Sequence, residues 1–188
     1  RPIGQDDIRI LSMLADHAGL AIENSILYED SVTKSHMDGM TQTWNHGCFQ
    51  ELLIFELEKM QKDDKPLSLV MVDIDDFKLY NDAFGHTSGD KILKDLSTIL
   101  KQNSRHCDHV CRYGGEEFAV ILPGANKETS HIIAERFRKA VEEYRIPVSE
   151  GHHTLRNITV SIGIANFPTD AKDRYDLIVK ADQALYMA

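Results

Sequence analysis

Cysteine is scarce in this chain. Cys48, Cys107 and Cys111 are its three cysteines, and no two stand in a C-x-x-C pair. An odd count without that spacing argues against a disulfide framework or a paired-cysteine zinc site, and a reducing, cytoplasmic setting is expected. Long apolar runs are also lacking. No stretch of about 18 apolar residues occurs, so nothing here reads as a membrane span, and no secretory leader is visible. Positive charge is in short supply: 21 Lys and Arg stand against 30 Asp and Glu, a formal net charge of −9 at pH 7. Such a chain repels a nucleic-acid backbone, and no local basic patch offsets this. An anionic nucleotide stays admissible if metal ions or helix N-termini supply the counter-charge.

What is present fits one domain and an accessory segment. A 188-residue chain with 42% hydrophobic content can bury a core without staples. Residues 1–35 form the accessory segment, and 6–35 read as one long helix. Leu11, Leu14, Ala18, Ala21, Ser25, Tyr28 and Val32 recur at alternating spacings of three and four, a weak heptad seam. That pattern suits either an amphipathic helix packed on its own domain or a parallel coiled coil that dimerises the chain. Residues 36–188 interleave helices and strands. The patterning predicts a helix over 49–60, a buried strand over 67–72 ending at Asp73, and a helix over 88–102. A hairpin of 109–113 and 118–122 follows, turning at Gly114-Gly115, then a helix over 127–144, a strand over 158–165 and a helix over 171–187. The order α-β-α-β-β-α-β-α implies an α+β fold with helices on the faces of a sheet. The chain opens in helical character and stops at Tyr186-Met187-Ala188, which reads as a piece of a longer protein cut short at its C-terminal end.

Two acidic clusters stand at strand ends: Asp73-Ile74-Asp75-Asp76 after the 67–72 strand, and Glu116-Glu117 at the hairpin tip. Neighbouring carboxylates at a strand end are costly without a counter-charge. A hard cation such as Mg²⁺ removes that cost and coordinates phosphates as well, the usual equipment of phosphoryl or nucleotidyl transfer. Asp75 or Asp76 could instead serve only to cap a following helix. Gly114-Gly115 can adopt positive φ and admits close backbone approach, as any hairpin turn could use.

The run Gly114-Gly115-Glu116-Glu117-Phe118, preceded by Cys111-Arg112-Tyr113, resembles the signature of GGDEF-domain diguanylate cyclases in its GGEEF form. Three further blocks agree in order and spacing over roughly residues 36–188. They are Asp73-Ile74-Asp75-Asp76-Phe77-Lys78 with Asn81-Asp82, Gly85-His86 and Gly89-Asp90; Val160-Ser161-Ile162-Gly163-Ile164-Ala165; and Ala181-Asp182-Gln183-Ala184-Leu185-Tyr186. The resemblance implies a central, mostly antiparallel sheet ringed by helices, similar to the palm of nucleotidyl cyclases and polymerases. It implies condensation of two GTP into cyclic di-GMP by a homodimer, with two Mg²⁺ (or Mn²⁺) per GTP. Asp73, Glu116 and Glu117, with the backbone carbonyl of Ile74, would bind metal. Glu117 or Glu116 would take the proton of the attacking ribose 3′-hydroxyl. Asn81 and Asp90 would read the guanine edge, His86 is a candidate substrate contact, and backbone N–H groups around Phe77 and Lys78 would hold phosphate. Arg105 and Asp108, an R-x-x-D pair, match the family's product-inhibition site; the plainer reading is a surface salt bridge. Residues around 14–28 are similar to the last helix of a GAF sensor domain.

The chain departs from the family in one motif. The usual D-x-L-T-G-L-x-N-R-R reads Asp38-Gly39-Met40-Thr41-Gln42-Thr43-Trp44-Asn45-His46-Gly47 here, keeping Asp38, Thr41 and Asn45. The family's C-terminal phosphate-binding Lys and Arg would fall beyond Ala188. The cysteines read as ordinary, partly buried thiols, Trp44 as core, and His152-His153 as loop. The alternative to an active cyclase is a non-catalytic receptor for GTP or cyclic di-GMP.

Overall fold

The computed structural model describes residues 13, 17, 19, 20, 22, 36–145 and 158–188. The chain divides into two compact units, Arg1–His36 and Met37–Ala188. The Leu11-to-Val32 seam and His152-His153 lie outside the described residues. Among the described residues no helix is long and apolar enough to cross a membrane.

In the second unit the elements run α1 (His46–Lys62), β1 (Leu67–Ile74), α2 (Phe77–Phe84), α3 (His86–Gln102), β2 (His109–Arg112), β3 (Glu117–Pro123), α4 (Lys127–Glu142), β4 (Val160–Phe167) and α5 (Arg174–Tyr186). The four strands form one antiparallel sheet in the order β2-β3-β1-β4. This is the expected α+β architecture, with one added helix and element ends that shift by up to three residues. Helix α2 is absent from the order read off the sequence, because Gly85 at φ 82° breaks a continuous polar-rich stretch into a short helix and a long one. Helix α3 also begins at His86, ahead of the predicted start.

β1 shows no apolar/polar alternation because both of its faces are covered. Val70, Val72 and Ile74 join Phe118, Val120, Ile92, Leu96, Leu100 and Phe137 in one core cluster. Leu67, Leu69 and Met71 join Ala119, Ile121, Phe49, Leu53 and Leu177 in the other. The period-two geometry of a strand thus sorts one apolar run into two cores, giving a helix–sheet–helix sandwich. Asn45 caps α1 by accepting from the Cys48 backbone N–H at 3.0 Å, the N-cap role its side chain suits. Cys48 and Cys111 are buried, as expected, but Cys107 is exposed.

Candidate active site

The sheet register makes the site. Asp73, near the end of β1, lies directly across from Glu117, the first residue of β3, and from Ser161 of β4 on its other side. Directly opposed residues in an antiparallel pair hold their Cβ atoms about 4.5–5.5 Å apart, and like charges so placed are destabilising. Burial, then Glu116, Glu117 and Asp75, push the Asp73 carboxyl from its usual 3.8 up to about 6. Among the described residues no Lys or Arg pairs with these carboxylates. Asp73 and Glu117 open onto a cleft of about 690 Å³, also lined by Ser161, Asp182, Gln183, Leu185, Tyr186 and Met187.

The hairpin turn is held from several directions. The Tyr113 and Gly114 N–H groups both donate to the Glu117 carbonyl, at 2.9 and 3.2 Å. Arg112 donates to Asp38 at 3.1 Å and to the Gly115 carbonyl at 2.8 Å, tying the altered Asp38–Gly47 motif to the turn. His46 Nδ1 lies 2.9 Å from the Tyr113 carbonyl. Neither glycine uses positive φ; Gly85 and Gly124 are the described glycines that do. Gly114 serves a close approach instead: a Cβ there would stand 2.7 Å from Glu117 Oε2 and push that side-chain end aside. Of the two uses the sequence allows this glycine pair, positive φ and close approach, Gly114 shows close approach, by a catalytic-candidate side chain.

The acids after β1 divide their labour in a way the sequence left open. Asp75 accepts from the hydroxyls of Thr159 at 2.5 Å and Ser161 at 2.7 Å, so it fastens β1 to β4. Asp76 occupies the N-cap of α2 in the left-handed region, φ 55°, and makes no side-chain capping bond. Neither acid caps by its side chain, and the first N–H groups of α2, at Phe77 and Lys78, carry no such cap. An uncapped helix start presents free N–H donors to an anion. Phe77 is buried and Lys78 exposed; Asn81 and Asp90 are half-buried on α2 and α3; His86 is exposed at the start of α3.

The fit of a divalent cation rests on the donor set. Asp73, Glu116 and Glu117 offer hard oxygen ligands that repel one another, and the Ile74 backbone lies beside them on β1. Among the described residues no group of three or more His, Cys, Asp or Glu side chains makes a ready metal cage. A shell here would need phosphate oxygens or water as well, as Mg²⁺ commonly uses.

The R-x-x-D pair lies elsewhere and is closed on itself. Arg105 donates through Nε at 3.0 Å and Nη2 at 2.7 Å to Asp108 Oδ1, while its backbone N–H donates to Oδ2 at 2.7 Å. The Asp108 side chain is 0% exposed and that of Arg105 37%. The pair is thus a half-buried clasp rather than a loose surface bridge, and its hydrogen bonds hold the guanidinium above its ordinary pKa. Ser161 and Asp182 line the cleft without a role legible from their residue types alone. Both sit inside quoted motif blocks, which was the available signal.

Comparison with known proteins agrees with this geometry. The family profile described as "Diguanylate cyclase, GGDEF domain" matches residues 35–188. The chain is 36% identical over 180 residues to Diguanylate cyclase A of Treponema denticola, covering 94% of this chain and 47% of that protein. It is similar to the solved structure of the coiled coil and GGDEF domain of DgcB from Caulobacter crescentus in complex with c-di-GMP. The TM-score is 0.85 at 26% identity, over 94% of this chain and 92% of that one. It is also similar to the active GGEEF domain of a diguanylate cyclase from Vibrio cholerae, with a TM-score of 0.65 at 30% identity over 71% and 83% of the two chains. The chain spans 47%, 45% and 32% of the length of three curated relatives it matches, half or less.

Proposed function

The chain belongs to the GGDEF-domain family of diguanylate cyclases, and on that premise we propose that it condenses two GTP into cyclic di-GMP with release of pyrophosphate. The observation that carries this reading is the opposed pair Asp73 and Glu117, like charges held half-buried at the mouth of a cleft with no Lys or Arg among the described residues to pair them. Two carboxylates in that setting are a cost to folding unless a bound cation offsets it. When bound, Mg²⁺ or Mn²⁺, two per GTP, would neutralise triphosphate charge and polarise the α-phosphate. Asp73, Glu116, Glu117 and the Ile74 carbonyl would hold it.

The remaining work falls to the chain. The uncapped N–H groups of Phe77 and Lys78 hold phosphate. Asn81 and Asp90 read the guanine edge, the Asp90 carboxylate accepting the N1–H and 2-amino protons that guanine presents together, with His86 a further contact. Glu117 or Glu116 receives the 3′-hydroxyl proton as that oxygen bonds to the α-phosphorus of the other nucleotide, and the bond to pyrophosphate breaks. One GTP per domain requires two domains face to face, so activity depends on a homodimer. Residues 36–188 form the catalytic domain, in its GGEEF form, and 1–35 form a sensor-derived linker helix that sets how often two half-sites meet. Cyclic di-GMP binds back at Arg105 and Asp108. Since Asp108 is sealed by Arg105, product either engages the exposed part of the guanidinium or opens the clasp.

The test is to incubate the full-length protein with GTP, with ATP and with both, in Mg²⁺, and identify products by mass. Cyclic di-GMP from GTP alone is expected, with specific activity rising with protein concentration through the dimerisation range. No product at high protein concentration refutes the cyclase reading and leaves a receptor for GTP or cyclic di-GMP.

A further inference from the structure

Gly89 has no room for a side chain. It is buried in α3. A Cβ built on it would overlap Asn81 Oδ1, stand 2.9 Å from Asn81 Cγ and 3.1 Å from Phe77 Cζ. The obstacle is not backbone. It is the amide at the end of a short side chain that can rotate away, with a ring edge behind it that need give only slightly. Asn81 carries a second, independent peculiarity: its Oδ1 is buried and has no hydrogen-bond partner among the described residues. A buried acceptor without a donor is a standing cost, and an oxygen closed off from solvent is closed to a ligand as well, so the amide nitrogen is the end of this side chain left open. Both observations concern one atom. The missing Cβ at position 89 makes the space in which Oδ1 sits, and Oδ1 sits there unpaired.

We infer that Gly89 is a specificity-determining position that acts through Asn81. Its bare α-carbon seats Asn81 Oδ1 and so turns the amide nitrogen outward, where it donates to the base of the bound nucleotide. The inference rests on the reading of Asn81 as a base contact. Gly89 itself touches no substrate and is a positioning residue. Gly89→Ala then has an unusual profile. The added methyl displaces side-chain ends rather than backbone, and alanine favours a helix over glycine, so the fold is retained. The amide is turned out of place, so base recognition is lost. A glycine needed only for helix packing would behave in the opposite way, losing stability and treating all nucleotides alike.

The experiment compares Gly89→Ala, Asn81→Ala and the double variant in the full-length protein, by thermal melting and by steady-state kinetics with GTP and ATP. Gly89→Ala is expected to melt within a few degrees of wild type. Its KM for GTP rises about tenfold, the scale of one hydrogen bond to a base. Its kcat falls less than KM rises, its preference for GTP over ATP narrows by a similar factor, and the double variant is no worse than Asn81→Ala alone. An unchanged KM for GTP overturns the inference. So do effects that multiply in the double variant, or a large loss of melting temperature with both nucleotides affected equally. A wild-type protein that turns over no GTP refutes the proposed function instead. The same cycle is then read from dissociation constants for GTP, which keeps the two failures separate.

Discussion

Replacing Asp73 by asparagine should make the ligand-free protein more stable while removing its activity. The folded-state carboxyl titrates at about 6 against an ordinary 3.8, raised by burial first and by Glu116, Glu117 and Asp75 next. Between those two values the folded protein binds the extra proton. The stability this group contributes is therefore present below pH 3.8 and is lost as pH rises through about 6. Two pK units amount to about 3 kcal/mol at most, and screening of a half-exposed group brings the figure to about 1–2 kcal/mol. Asp73→Asn keeps the shape and drops the charge. At pH 8 in EDTA it should melt about 3–6 °C above wild type, given the transition entropy of a domain this size. At pH 4 the two proteins should melt together. With Mg²⁺ and GTP the order reverses, because the wild type gains ligand stabilisation that the variant has lost. Melting curves by differential scanning fluorimetry across pH 4–8 read all of this. A variant no more stable than wild type at pH 8, or a gap that persists at pH 4, refutes the argument that facing charges are the cause.

Glu117→Gln should lower kcat by about 10²–10⁴-fold if Glu117 takes the proton, measured by pyrophosphate release, with Glu116→Gln as the comparison that decides between the two. Arg105→Ala should abolish inhibition by added cyclic di-GMP while initial turnover stays at the wild-type level; product inhibition that persists would remove Arg105 from that site. In Gly163→Ala a new Cβ would overlap the Ala181 carbonyl and the Leu185 backbone nitrogen and stand 2.7 Å from Leu185 Cα. Backbone cannot step aside as a side chain can, so denaturant melts should show a loss of about 1–3 kcal/mol or more, and because α5 lines the cleft, KM for GTP should rise with it.

Much of the site was legible one motif at a time. The residue types at Asp73, Glu116 and Glu117 point to a hard cation and phosphate because that chemistry is local: a few oxygen donors at the end of an apolar strand. The α+β class followed from the change between strand and helix periodicity, which is also a property of short windows. The start of α2 was legible, with Asp75 or Asp76 as a cap before Phe77 and Lys78, but its end was not: the helix stops after eight residues at Gly85, whose φ of 82° no short window shows. The use of Gly114 stayed open for a related cause: sequence suggests what a glycine permits, and only its neighbours show which permission is used.

The sequence by itself determined which groups are available, their order, and the family in which that order recurs. Tertiary structure decided how they pair. Strand register sets Asp73 against Glu117, ties Asp75 to Thr159 and Ser161, and leaves Asp73 the carboxyl whose proton affinity is raised. Helix packing sets Asn81 against Gly89 and leaves an unpaired oxygen between them. Chain folding closes Arg105 over Asp108. Each of these depends on distance through space between residues on different elements or across a turn, and charge, burial and steric exclusion act over that distance and not along the chain.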